Sequence, residues 1–154
     1  MVEGWDPELI NPASLDVRIG NHLMIEVVGC EHFVEIDISE CTKDRPYRLL
    51  PGEFCLAATQ EVFNIPKNLC AEFALKSSRG REGYQHMLSA WIDPGFTGSA
   101  LTLELKNARK QWDLPIYPGL RIGQIIFMKM HPPLRDYSKT GRYNGDLKVT
   151  GSKG

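Results

Sequence analysis

No apolar run in this chain approaches the roughly 18 to 20 residues that a membrane-spanning helix needs. An excess of one charge is also missing. Eighteen Lys and Arg face 19 Asp and Glu, a formal net charge of −1, so no overall electrostatic case exists for nucleic acid or an anionic membrane as partner. The opening residues, MVEGWDPELI, are acidic and lack the basic-then-apolar pattern of a secretory leader. A cytoplasmic protein is the simplest expectation. The four cysteines, Cys30, Cys41, Cys55 and Cys70, form no C-x-x-C, so the usual zinc and redox spacings are absent. Cys30 and His32 are neighbours, yet free and mostly buried thiols are expected rather than a metal site. No segment holds a helical period over three turns, and there is no internal repeat, low-complexity tract or linker.

What is present points to β-structure. With 154 residues, 42% apolar and 24% charged, the composition suits one globular domain over residues 1–154 with a real core. Short alternating or apolar runs dominate: SLDVRIGNHLMIEVV, FVEIDIS, EFCLAATQEVFNIP, LCAEFALKSS, ALTLELKN and RIGQIIFMKM. Turn signals separate them at intervals of about ten residues, the spacing of an all-β sandwich or barrel. A short helical turn fits DPELI. Residues 132–154 differ: polar, Gly-rich and cationic, they are expected to form a mobile arm that orders when it covers something.

Four stretches combine residue types suited to chemistry. In KSSRGREG (76–83), the hydroxyls of Ser77 and Ser78 and the charges of Lys76, Arg79 and Arg81 could hold a polyphosphate by charge-assisted hydrogen bonds. Alone, the stretch reads equally as a solvated surface turn. In AWIDPGFTGSALTLELKN (90–107), alternation sends Leu101, Leu103 and Leu105 inward and Glu104 outward. Glu104 is then either a solvated sheet residue or a carboxylate on a pocket wall able to shuttle protons. Gln124 is the one polar group at the start of the apolar strand in YPGLRIGQIIF (117–127), where structural anchoring is the default. In the arm, Tyr137 and Tyr143 could cover a base, and Lys139 and Arg142 could meet phosphates.

Taken in order, these pieces resemble the dCTP deaminases of the dUTPase-like superfamily. INPASLDVRIGN (10–21), LLPGEFCLAATQEVFNIPKNL (49–69), KSSRGREG, the IDPGF turn with its TLELKN strand, YPGLRIGQIIF and YSKTGRYNG follow that family's motifs over roughly residues 10–146. The resemblance implies a mostly β, distorted barrel or jelly-roll-like dUTPase-type fold with few short helices and a flexible C-terminal arm. It also implies a homotrimer with active sites at subunit contacts. The implied reaction is dCTP plus water to dUTP plus ammonia, with Mg2+ carried on the triphosphate and no zinc. Zinc-dependent deaminases of cytosine carry H-x-E and P-C-x-x-C, and neither occurs in this sequence. By position, Glu104 is the implied general base, and Ser77 and Arg81 fix the water and the developing charge. Lys76 and Ser78 face the phosphates, and Asp93 accepts from the sugar 3′-hydroxyl with Ile92 beside it. Gln124, Tyr137 and Arg142 complete the nucleotide site. Feedback by dTTP is a further implication.

The sequence departs from the family pattern in several places. Lys76 stands where the family has Arg, which keeps charge but loses the bidentate fork. Arg79 and Glu82 replace two leucines, and Asp146 replaces a Gln and would repel phosphate in the same place. One extra residue lies between Asp93 and Glu104, near Ser99 or Ala100. A bulge is expected there, since a one-residue slip turns Glu104 to the other face. Three other functions remain open: a bifunctional enzyme that also hydrolyses dUTP to dUMP and pyrophosphate, a plain dUTPase, and a non-catalytic nucleotide-binding regulator.

Overall fold

The structure is a computed structural model describing residues 1–154. Eleven strands occur in chain order: β1 (Val2–Glu3), β2 (Leu15–Ile25), β3 (Val34–Asp37), β4 (Tyr47–Leu49), β5 (Phe54–Phe63), β6 (Leu69–Leu75), β7 (Tyr84–His86), β8 (Trp91–Ile92), β9 (Ser99–Asn107), β10 (Leu114–Ile116) and β11 (Arg121–Lys129). Two short helices, α1 (Ser77–Glu82) and α2 (Tyr137–Thr140), complete the chain with a 3-10 turn at Pro7–Leu9. That turn is the DPELI feature, started by the Asp6 carboxylate accepting from the Glu8 N–H. Nine strands form one curled antiparallel sheet in the order β7-β9-β5-β2-β11-β6-β8, with β1 on β5 and β3 on β2. β4 and β10 make a separate ribbon. No helix is long and apolar enough to cross a membrane.

The alternation read from the sequence places the core. Val17 and Ile19 of β2, Leu103 and Leu105 of β9 and Ile122 and Ile125 of β11 are fully enclosed inside the curl. Burying each such side chain contributes about 1.5–3 kcal/mol. All four cysteines are free: Cys55 and Cys70 are buried, Cys41 is half-buried and Cys30 is exposed. Burial pushes the Cys55 thiol up to about 12, which keeps it protonated and unreactive. Beside Cys30 and His32 lies a hollow of about 430 Å3, but no group of three or more His, Cys, Asp and Glu converges to hold a metal ion.

The expected bulge on β9 is corrected in an informative way. β9 runs unbroken from Ser99 to Asn107. The register shift lies at the expected level, but its surplus residues belong to β5: Ala58 pairs Thr102 and Val62 pairs Ala100. The Thr59 hydroxyl spans the gap, accepting from the Leu101 N–H and donating to the Glu61 carbonyl. The detour delivers the fully buried Glu61 carboxylate to the backbone N–H and the guanidinium of Arg18, at 2.8 and 2.7 Å. Glu104 keeps its outward face because β9 itself alternates without a break.

Candidate active site

KSSRGREG is a helix rather than an open loop. Ser77–Glu82 forms α1, and Gly83 ends it in the left-handed conformation at φ 110°. A side chain at Gly83 would collide with the aliphatic part of Arg109, so glycine is needed there for both torsion and space. Two of the three departures in this stretch, Arg79 and Glu82, answer each other. Arg79 pairs with Glu82 one turn on at 2.7 Å, and its Nε donates to the Arg121 carbonyl at 2.9 Å. Where the family has two leucines, this chain has an ion pair within α1 and a hydrogen bond that ties α1 to β11. Ser77, Ser78 and Arg81 are exposed. Lys76, just before the helix, sits on the nearly buried Asp16 carboxylate at 2.5 and 2.6 Å. Asn11 donates to the same carboxylate at 2.7 Å, and Ser14 donates to the Gln124 side chain at 2.7 Å. β2, β6 and β11 thus gather Lys76, Asp16 and Gln124 on one side of the molecule.

Glu104 looks into a different place. A cavity of about 560 Å3 is lined by Glu104, Ile92, Asp93, Tyr137, Tyr143 and Asp146 with an apolar wall that includes Phe54, Leu56 and Trp91. Such a size and mixture suit a small organic ligand. Five sequence-nominated residues, Glu104, Ile92, Asp93, Tyr137 and Tyr143, therefore share one cavity. Lys76, Ser77, Ser78, Arg81, Gln124 and Arg142 do not line it. Ser77 and Arg81 thus stand outside the Glu104 pocket of their own chain. The reason is topological: Glu104 lies mid-strand on the face of β9 covered by the arm, while α1 sits beyond the Asn107 end of that strand, where the Ala108 N–H donates to the Gly83 carbonyl at 2.9 Å.

The arm is docked on its own chain. The Asp136 carboxylate starts α2 by accepting from the Ser138 N–H and pairs with Lys67 at 2.9 Å. Hydrogen bonds from Ser138 and the charge of Lys67 hold Asp136 down at about 2. The Tyr137 N–H donates to Pro94 O at 2.8 Å, and its ring meets Phe96 at 5.8 Å. Gly95 makes this contact possible, since a Cβ there would stand 2.7 Å from the Ser138 nitrogen. Further on, the Ala100 N–H donates to Asp146 O, and Val149 is buried against Leu56, Ala58 and Ala100. Lys153 answers the concern over Asp146: its ammonium reaches the carboxylate at 2.6 Å, donates to Arg142 O and lies over the Tyr143 ring at 5.3 Å. Arg142 itself is exposed.

One residue escaped the sequence reading. The His86 side chain is 6% exposed and its Nε2 stands 3.2 Å from Glu104 Oε2, while Glu104 is 26% exposed. Neither atom finds a properly angled hydrogen-bond partner in the chain. Buried polar atoms left without partners cost about 1–3 kcal/mol each, and native structures hold few of them. A lone histidine between α1 and the IDPGF turn carries no spacing signal. Only the fold, by pairing β7 with β9, brings it to Glu104.

Comparison with known proteins identifies the family. Residues 1–130 match the family described as dCTP deaminase-like. A Mycobacterium marinum protein named "dCTP deaminase, dUMP-forming" is 36% identical over 99% of this chain and 86% of its own length. A protein of the same name from Methanosphaerula palustris is 35% identical over 99% and 86%. Among solved structures, the 2′-deoxycytidine 5′-triphosphate deaminase of Agrobacterium tumefaciens superposes with a TM-score of 0.64 at 25% identity, over 82% of this chain and 42% of that one. The dUTPase of Streptococcus mutans superposes with a TM-score of 0.57 at 16% identity, over 82% and 85%, a likeness of fold. The chain belongs to the dCTP deaminase-like family.

Proposed function

We propose that this chain converts dCTP to dUMP, by deamination at C4 followed by hydrolysis of the triphosphate to dUMP and pyrophosphate. The observation that carries the deaminase half is Glu104 on the wall of a ligand-sized cavity, with Asp93 and Ile92 beside it. The dUMP-forming half is supported by the names of relatives that span 99% of the chain. They favour it over release of dUTP as the final product. They favour it equally over a plain dUTPase or a non-catalytic regulator.

In this reading the Glu104 carboxylate takes a proton from water as the oxygen bonds to C4 of cytosine. It delivers that proton to N3, and a second transfer from the water-derived hydroxyl to the amine releases ammonia and leaves the uracil carbonyl. Asp93 accepts from the 3′-hydroxyl, Ile92 packs against sugar or base, and Tyr137 covers the nucleotide from the arm. Ser77 and Arg81 fix the water and the developing charge, and Lys76 and Ser78 hold phosphate oxygens. Gln124 and Arg142 complete the site. Since these groups do not line the Glu104 cavity of their own chain, α1 of a second copy closes it. The assembly is a homotrimer. Mg2+ enters with the triphosphate. With no convergent protein ligand cluster to claim it, phosphate oxygens and water suit this hard ion, and no step by the protein's own residues depends on zinc. dTTP, a pyrimidine deoxynucleotide of the same shape, is the natural inhibitor to assay, and the reading places the enzyme in the cytoplasm.

Incubation with dCTP and Mg2+, followed by nucleotide chromatography and an ammonia assay, tests the reading. Ammonia, dUMP and pyrophosphate in equal amounts are expected. Accumulation of dUTP would reduce the function to deamination alone, and dCTP unchanged at high protein concentration would refute it.

A further inference from the structure

We infer that His86 is a positioning residue for Glu104, holding one carboxylate oxygen from behind so that the other is presented to the cavity. The inference rests on the reading of Glu104 as the general base. Four observations carry it. His86 Nε2 and Glu104 Oε2 are 3.2 Å apart. Both atoms are buried and have no other hydrogen-bond partner. The imidazole is clamped by the ring of Phe73, with centroids 4.5 Å apart, so its orientation is set by packing. The main chain is tied at the same level: His86 pairs Leu105 across the ladder, and the Met87 N–H donates to Glu104 O at 3.2 Å.

Position also separates this role from direct chemistry. His86 does not line the cavity that Glu104 lines, so it acts through the carboxylate. A histidine serving only the core would be expected to spend its ring nitrogens on backbone groups. Here Nε2 instead lies 3.2 Å from the one carboxylate nominated for proton transfer. An imidazole with its proton on Nε2 donates to Oε2 after a small turn of either side chain. A base that must visit the water, N3 and the amine in turn gains from having one oxygen anchored, because misorientation of a reacting group costs rate steeply.

The test compares His86→Phe, which keeps a ring against Phe73, with His86→Gln, whose amide nitrogen can replace Nε2. Steady-state dCTP deamination is measured in the wild-type and Glu104→Gln backgrounds. The Phe variant is expected to lose about 10- to 100-fold in kcat with KM for dCTP within a few-fold, a loss on the scale seen when the outer partner that orients a metal ligand is removed. The Gln variant is expected to recover most of that loss. In the Glu104→Gln background, His86→Phe is expected to change the residual rate less than twofold. A kcat within twofold of wild type for His86→Phe, a rise confined to KM, or the same fold-loss in both backgrounds would overturn the inference while leaving the deaminase reading intact. No ammonia from dCTP with the wild-type protein would overturn both. Should the Phe variant not fold, 15N-histidine NMR of wild type against Glu104→Gln decides: the His86 Nε2 resonance is expected to move, and an unmoved resonance overturns the contact.

Discussion

Glu104→Gln is expected to lower the rate of ammonia release from dCTP by about 10²–10⁴-fold, the usual worth of a positioned general base. The substitution keeps the size of the side chain and its place on β9 and removes only its ability to take a proton. Glu104 is partly exposed at a cavity wall, and no other group leans on it apart from His86. Stability should fall by no more than about 1 kcal/mol, since the Gln amide oxygen can still accept from His86, and assembly should be unchanged. Affinity for dCTP, measured by calorimetry with Mg2+, should stay within a few-fold. Substantial remaining turnover would mean that another group is the base, and a collapse of binding would make Glu104 a ligand-holding residue instead.

Arg81→Ala should have the second-largest effect, a loss of about 10²–10³-fold in kcat, comparable with removing one donor from a preorganised site for developing charge. Arg81 is exposed on α1, whereas its neighbour Arg79 is engaged with Glu82 and the Arg121 carbonyl. The two arginines are thereby assigned different work: Arg79 fastens the helix, and Arg81 is left to meet something outside the chain. Arg81→Lys should recover only part of the loss, since Lys keeps the charge without the planar fork. Arg79→Ala should instead appear first as a lower melting temperature. A near-wild-type rate for Arg81→Ala would remove α1 from the reaction.

Much of the fold was readable because its signal is local. The alternation of Leu101, Leu103 and Leu105 placed Glu104 on the outer face of β9, and DPGF marked the turn before it. Other features were less accessible. KSSRGREG is too short for a helical period, yet Gly83 at its end and the i,i+3 spacing of Arg79 and Glu82 are helix signals in retrospect. The irregularity expected near Ala100 sits instead on β5, where it brings Glu61 to Arg18, and that pairing of distant residues leaves no mark in the β9 sequence. His86 meets Glu104 through strand pairing between distant segments, which no single window of sequence displays, whereas Lys153 and Asp146 are only seven residues apart and meet because the arm turns back on itself. The division of the nominated residues between the Glu104 cavity and the Lys76–Gln124 side was hidden for the same reason.

That division makes the central claim testable by mixing. If one catalytic site is assembled from Glu104 of one copy and α1 of another, Glu104→Gln and Arg81→Ala proteins are each inactive alone but complement each other. After co-refolding at equal amounts, random assembly should restore about a quarter of the wild-type sites in a closed cyclic oligomer. Ammonia release from dCTP at about that fraction of the wild-type rate is the predicted result. A rate no higher than that of the two variants measured separately would contradict it, and would place Glu104 and Arg81 in the same chain's site or outside a shared site altogether.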